Sequence, residues 1–461
     1  MSALRSTAWD FAGGDRAPLR GLSRDARLFL LAEACSAFAG GAFLAVYNLY
    51  VLALGYDPRL LGTLLAAGGA GAGLGALPAG ALVDRLRPRA VLLAASLVAA
   101  AGIGAQLASG HAAALLIGNA VAGAGAAAYV VAAAPFLTEA SAPGTRPRVF
   151  SVETAVALAF TAAGTAAGGQ AAVLLEGSGQ WAAHMGPGGP AGQAGAYWLT
   201  LAGASAIGAC AFVPLVMTRG GAQRDSGLRM LDFGLGGRGP AAAAGGPGGE
   251  VPNPQAQIQN PGARASGRSR IANPNSAPRL AAVTGLIGAG AGLFIPYLNV
   301  FFVEVLGTSP AVFGWLSASG LLCRLAGTVA APRLAARFGA VQAIAGTQLA
   351  SVPLLLLLGF APHPAAAAAM YLARGTLMNM AAPITAAFTM QALPPVGRGR
   401  GNSIIWLVGN AARTVSTLLG GALIAAAGYR VPYLVTAVCY VSSSVLLLAW
   451  FGGRRRLTAG G

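Results

Sequence analysis

The stretch that decides the fold is residues 60–109, LLGTLLAAGGAGAGLGALPAGALVDRLRPRAVLLAASLVAAAGIGAQLAS. Neither 60–83 nor 90–109 carries a charged residue, and between them stand Asp84, Arg85, Arg87 and Arg89. A helix that is apolar on every side has no face to offer water. About 20 such residues cross the ~30 Å hydrocarbon layer of a bilayer. The unit therefore reads as two transmembrane helices joined by a short basic turn.

The rest of the chain extends that reading. Of 461 residues, 56% are hydrophobic and 9% charged, with a mean hydropathy of +0.65. Soluble domains hold about 25% charged residues, so a single soluble enzyme is excluded, and a disordered chain with it. Twelve spans of about 20 residues would use roughly 240, leaving room for loops. The 68 glycines suit helices that approach closely in lipid. The fold class expected is an all-α membrane protein of twelve transmembrane helices.

The formal charge of +17 would ordinarily raise a nucleic-acid partner. Every basic residue is arginine, however, and the arginines lie in short clusters between apolar runs, which matches a high-G+C coding bias and excludes that partner. Cys35, Cys210, Cys323 and Cys439 all sit inside apolar runs, so no disulfide framework is expected, and metal-ligand spacing is absent. Residues 1–27 lack the compact apolar core of a signal peptide, and Asp10, Asp15 and Asp25 argue against a transit peptide.

Apolar runs place helices near 28–54, 60–83, 90–109, 112–136, 151–175 and 196–217, then near 280–306, 310–332, 340–360, 364–390, 402–427 and 430–452. Short cytoplasmic loops carry the arginine excess. With the N-terminus inside, only Arg59 and Arg430 fall outside, and Arg324, Arg374 and Arg413 fall within spans. His111, His184 and His363 then all lie in outer loops, and both termini are cytoplasmic. The organisation expected is a cytoplasmic tail over 1–27, a six-helix bundle over 28–217, a disordered cytoplasmic linker over 218–279, a second bundle over 280–452 and a tail over 453–461. The linker is rich in Gly, Pro, Ala and Asn. Within it, 224–235 reads either as plain linker or as a short surface-lying segment, and the outer loop 176–195 is expected to be flexible.

The two halves match at a constant offset of 252 residues. Gly55 and Gly62 correspond to Gly307 and Gly314, and Asp84-Arg85 to Ala336-Arg337. Gly123 matches Gly375, Phe136 matches Phe388, Arg146 and Arg148 match Arg398 and Arg400, and Gly168-Gly169 match Gly420-Gly421. A duplicated six-helix unit with a long central linker is the plan of a transporter that rocks about a central site.

Gly80-Ala-Leu-Val-Asp84-Arg85-Leu-Arg87-Pro-Arg89 resembles the loop 2–3 signature of the major facilitator superfamily, with Arg87 where glycine is usual. Asp84 stands where it can cap a helix N-terminus or pair with an arginine of a neighbouring helix. A contact made in one state and broken in the other would make Gly80, Asp84, Arg85, Arg337, Arg146 and Arg398 a gating set; the alternative is interfacial anchoring of helix ends. The resemblance implies that the first, fourth, seventh and tenth helices line a central cavity.

Intramembrane charges are functional candidates by default. Arg374, near mid-depth in the tenth helix, is expected either to contact substrate or to pair structurally within its half. Arg413 in the eleventh and Glu33 in the first are the coupling candidates, while Glu153 begins the fifth helix, where its carboxylate faces the helix dipole. Tyr47, Asn48, Tyr297 and Asn299 stand at nearly repeat-equivalent depth, and Asn119 and Asn379 add amides on cavity-lining helices; these either bind substrate or hold helices together.

Gly164-Thr-Ala-Ala-Gly168-Gly169 is similar to the superfamily's antiporter signature, with Thr165 in place of proline. Gly123-Ala-Gly125-Ala-Ala127 resembles its second drug-antiporter signature, with Asn119 where arginine is usual. Arg374 to Pro383 looks like prokaryotic drug-efflux-like permeases. The expectation is a monomeric secondary active transporter in a bacterial inner membrane, exporting small amphipathic compounds against a proton gradient, with no cofactor and no metal. An organic-anion carrier and a transporter-like sensor or scaffold stay as alternatives. There is no phosphate loop, nucleophile–base set or metal cluster to support an enzyme.

Overall fold

A bilayer lets a polypeptide cross only where its backbone groups bond within the segment, and helices do this. The computed structural model describes residues 22–142, 144–178, 192–219, 275–394 and 398–452, and among them all regular structure is helical. Twelve spans follow in order: α1 (Arg24–Ala53), α2 (Pro58–Arg85), α3 (Pro88–Ala108), α4 (Ala112–Glu139), α5 (Arg146–Ser178) and α6 (Gln193–Met217). After the central connection come α7 (Ser276–Val305), α8 (Pro310–Phe338), α9 (Ala340–Gly359), α10 (Pro364–Met380, continued by Ala382–Ala392), α11 (Arg398–Ala427) and α12 (Arg430–Phe451). Ten of these are long and apolar enough to cross a membrane. The others are α8, which carries Arg324, Arg333 and Arg337, and α10, which is interrupted at Ala381. The linker core, segment 224–235, most of the loop 176–195 and His184 lie outside the described residues.

Several helices outrun their apolar cores. α5 and α11 begin at Arg146 and Arg398, where 151 and 402 were expected, and α8 continues to Phe338 past 332. Arginine stems reach the interface while the backbone stays helical, so hydropathy marks only the hydrocarbon portion of each helix. The helix starts follow local chemistry repeated in both halves. Asp57 accepts from Leu60 N–H at 2.9 Å ahead of Pro58, and at the equivalent site Ser309 accepts from Val312 N–H at 3.3 Å ahead of Pro310. Pro at the first helical position loses only an N–H that has no partner there. The preceding turns need a left-handed residue and have one, Gly55 (φ 88°) and Gly307 (φ 65°).

Large apolar side chains point outward all round, among them Leu77 (73% exposed), Leu74 and Val130. Such a surface is expected of a protein solvated by lipid. Within the first half α1 packs on α5 and α6, and α4 on α2 and α3. Within the second, α7 packs on α11 and α12, and α10 on α8 and α9. The halves meet chiefly along two seams, α2 against α11 and α5 against α8.

The seams obey the sequence repeat. Gly421 of α11 lies on the Pro58 carbonyl and on Gly62 of α2; Gly169 of α5 lies on the Pro310 carbonyl of α8, and Gly314 on the Thr165 carbonyl. A Cβ at Gly421, Gly169 or Gly314 would run into those carbonyl oxygens. One duplicated pattern therefore makes both seams, each with its α2- or α8-type start against an α5- or α11-type glycine.

Call the end holding Arg85, Arg87, Arg146 and Arg398 the arginine-rich end, and the other the far end. One buried cluster at the far end draws on both halves: Ala45, Val46, Tyr47, Leu49, Tyr50, Leu61 and Leu201 with Tyr297, Val300 and Ile424. A smaller one at mid-depth joins Ala162 and Ala166 to Ala318. Toward the arginine-rich end the cores separate. Phe29, Leu92, Phe136 and Leu215 belong to one cluster of the first half; Leu280, Ile344, Phe388 and Leu447 belong to one of the second. Among the described residues the halves thus share a buried core at the far end and keep separate ones at the other.

This arrangement makes the seams the controllable element. Gly421→Val and Gly169→Val should each push the far end apart while leaving the bundles folded. Spin labels on exposed Arg59 and Ala427 are expected to move apart by several ångströms in either variant, with helical content by circular dichroism unchanged. An unchanged distance would show that the seams do not hold the seal.

Candidate functional site

The far-end seal is built on α7, whose helix breaks where it meets α1. Pro296 has no N–H and its ring crowds the carbonyl four residues back. The chain accordingly runs through a 3-10 turn at Ile295–Tyr297, one short turn at Leu298–Val300 and a π turn at Phe301–Val305. Val300 N–H donates to Oδ1 of Asn299 at 3.0 Å rather than to the Pro296 carbonyl, which accepts instead from Nδ2 of Asn48 on α1 at 2.5 Å. The same Nδ2 donates to Oδ1 of Asn299 at 2.8 Å, and Asn299 Nδ2 donates to the Ala45 carbonyl at 3.2 Å. Two buried amides thus clasp each other across the two halves.

Tyr297 belongs to the same seal. Its buried hydroxyl donates to the Thr417 carbonyl at 2.5 Å and lies against Gly62 and Gly421, on the α2–α11 seam. Tyr47, next to Asn48, instead ties the first half together: Asn119 of α4 donates to its hydroxyl at 2.5 Å and also to the Leu115 carbonyl at 2.9 Å. Asn379 bonds back within its own helix, to the Gly375 carbonyl at 2.7 Å. Of the residues expected to touch substrate, the structure gathers Asn48, Asn299 and Tyr297 at one seal, places Tyr47 in the same far-end core with its hydroxyl on Asn119, and leaves Asn379 within its own helix.

Arg374 occupies a different place, between helices of the second half. It is 4% exposed. Its guanidinium carbon stands 4.7 Å from the centre of the Phe294 ring of α7 and 5.7 Å from that of Tyr440 of α12. Nη2 donates to the Tyr440 hydroxyl at 3.2 Å, while Nε is enclosed with no hydrogen-bond partner. Among the described residues no carboxylate pairs with it. Tyr433 packs on Phe294 with ring centres 5.1 Å apart, closing an aromatic wall. Arg413 of α11 is exposed, and its main chain packs on Gly288 and Gly292 of α7.

Glu33 of α1 is half-buried nearer the arginine-rich end, where Tyr129 of α4 donates to it at 3.2 Å. At the same end the gating set stands dispersed. Asp84 and Arg85 are exposed in the last turn of α2, Arg337 lies over the Phe338 ring at 5.3 Å, and Arg398 Nε donates to the Leu393 carbonyl at 3.2 Å. Arg146 keeps an enclosed Nε without a partner, and Gly80 has open space around it. Among the described residues no ion pair joins these groups, and Asp84 does not cap α3, which starts without a side-chain cap. Among the described residues the buried cores of the two halves are separate at this end, and these groups stay with their own half.

Sequence reasoning passed over Phe294, Pro296, Tyr129, Tyr433 and Tyr440. A signal existed for Tyr440: Thr436, Tyr440, Ser443 and Ser444 recur at helical spacing along one face of α12. Two of these hydroxyls bond to α7, Thr436 to the Gly290 carbonyl at 2.9 Å and Ser443 to the Val283 carbonyl at 3.1 Å.

A family model described as Major Facilitator Superfamily matches residues 29–218 and 280–460. No curated protein sequence matches the chain significantly. Among solved structures, a bacterial homolog of the human lysosomal transporter Spinster, in an inward-facing and occupied conformation, superposes with TM-score 0.67 at 13% identity, covering 92% of this chain and 95% of that one. A bacterial homologue of the iron transporter ferroportin, inward-facing, gives 0.66 at 15% identity over 93% and 98%. A peptide transporter in complex with alafosfalin gives 0.65 at 17% identity over 94% and 95%.

The amide clasp predicts a coupling energy. Asn48→Ala and Asn299→Ala should each lower stability by about 0.6–2 kcal/mol. The double variant should lose less than the sum of the two, because each removes the same bond. Thermal or denaturant unfolding of the four proteins checks this, and strict additivity would mean that the amides do not act on each other.

Proposed function

Since the chain belongs to the Major Facilitator Superfamily, we propose that it is a secondary transporter of the alternating-access type that exports small amphipathic compounds in exchange for protons. The cargo crosses between the halves, entering where their cores are separate and leaving when the far-end seal opens. The arginine distribution supports placing the arginine-rich end and both termini in the cytoplasm. In that orientation the structure is inward-open, with the clasp of Asn48 and Asn299 as the outer gate. A bacterial inner membrane fits the Arg-rich, Lys-free composition.

The observation that carries proton exchange is the placement of Glu33. It is a half-buried carboxylate on α1, held by Tyr129 of α4, at the end where the two halves keep separate buried cores. A carboxylate in the interior of a membrane protein is a candidate proton carrier. Closing the halves over Glu33 changes its environment, so proton release can be tied to the rocking. The glycine run Gly164 to Gly169 supports the same reading by packing α5 tightly on α1 and α8, which restricts leak.

The test is transport in proteoliposomes with an imposed pH gradient and a pH dye inside. Proton movement triggered by lipophilic compounds is expected, at least tenfold weaker in Glu33→Gln and retained in Asp84→Asn. Compound flux without any proton movement would overturn the exchange reading, and absence of flux across a broad panel would overturn the transport reading.

A further inference from the structure

A guanidinium offers five N–H donors and carries a full positive charge. In the interior of a membrane protein such a group is normally paired with a carboxylate or with carbonyls. Arg374 has neither among the described residues: one nitrogen reaches a neutral hydroxyl at 3.2 Å, Nε has no partner, and aromatic faces supply the rest. Cation–π contact offsets about 2 kcal/mol in a desolvated site, while the effective penalty for burying an ion is several kcal/mol. The balance leaves an uncompensated cation walled by Phe294, Tyr433 and Tyr440.

The lid over this cation is at the weakest point of α7. Phe294, whose ring covers the guanidinium, has φ −136°, outside the helical range, and the 3-10 turn begins at the next residue. Phe294 is the last residue of the regular helix Ser276–Phe294. The following segment is tied to the first half by Asn48, which takes the Pro296 carbonyl, and by Asn299, and to α11 by the Tyr297 hydroxyl on the Thr417 carbonyl. Releasing the clasp between the halves removes the ties to the first half from the segment next to Phe294.

We propose that Arg374 is an anion-binding site, and that its ligand is a small amphipathic organic anion, one carboxylate on a flat apolar body. The carboxylate takes the free Nε and a terminal nitrogen in a two-point contact, and the apolar body lies against the aromatic wall vacated by Phe294. Opening of the far-end seal and exposure of the site are one motion. The claim that the bound anion is cargo rests on the transport reading; the site itself does not.

The experiment is thermal unfolding of the purified full-length protein with 2-naphthoate and with its neutral counterpart 2-naphthamide. Naphthoate should raise the melting temperature saturably and naphthamide should not. In Arg374→Met, and in Arg374→Gln, the apparent affinity for naphthoate should fall at least about tenfold. Without ligand, Arg374→Met should unfold at the same temperature or higher, since replacing an uncompensated buried charge by an apolar chain is neutral or stabilising. Equal responses to naphthoate and naphthamide, a naphthoate response that survives in both variants, or a marked loss of melting temperature in Arg374→Met would overturn the proposal. If naphthoate binds as expected but vesicles show no flux, the site stands and the transport reading falls. If vesicles export neutral or cationic compounds and naphthoate does not bind, the reverse holds.

Discussion

The structure depends on how closely backbones approach at four glycines, Gly62, Gly169, Gly314 and Gly421. In lipid, apolar side chains gain nothing by leaving a solvent as apolar as themselves, so helices associate through contact area and polar bonds. Where Gly421 lies on Pro58 and Gly169 on Pro310, main chain touches main chain across the two halves. These contacts set how near the bundles sit, and their position from mid-depth to the far end decides which end is shut. The duplicated sequence makes the pair symmetric, so the bundles are held on both flanks and remain free to part at the arginine-rich end.

Between the flanks, α7 carries the polar part of the seal. Its second half is irregular after Pro296, Val300 N–H turns to the Asn299 side chain, and in a membrane the Pro296 carbonyl left without it must find a partner. Asn48 is that partner. The regular half of α7 is tied differently, by hydroxyls of α11 and α12: Ser416 bonds the Ala289 carbonyl, and Thr436 and Ser443 bond two more. One helix thus has a firmly anchored half and a half held across the interface between the bundles, a division suited to a moving element.

Charge is distributed along the same axis. Arginines crowd the end where the cores separate and can be hydrated there, whereas Arg374 sits deep in the second half with aromatic neighbours and one tyrosine hydroxyl. Glu33 lies between these extremes, half-buried and bonded to Tyr129. Depth thus separates groups within reach of water from one that is enclosed.

The spans, their order and the duplication were legible in the sequence, because hydropathy and glycine spacing are local and the offset of 252 holds without a gap. Asn48 and Asn299 were legible as intramembrane amides, yet their role as partners of each other was not, since they are 251 residues apart and only the packed halves bring them within 2.8 Å. Arg374 was visible as a buried charge, but its neighbours Phe294 and Tyr440 look like ordinary packing residues until three helices converge. By itself the sequence determined a duplicated helical membrane protein with one arginine-rich side. Which end is closed, which amides clasp, and which cation lacks a counter-charge were decided by tertiary structure alone, because each depends on contacts between helices that hydropathy and spacing do not encode.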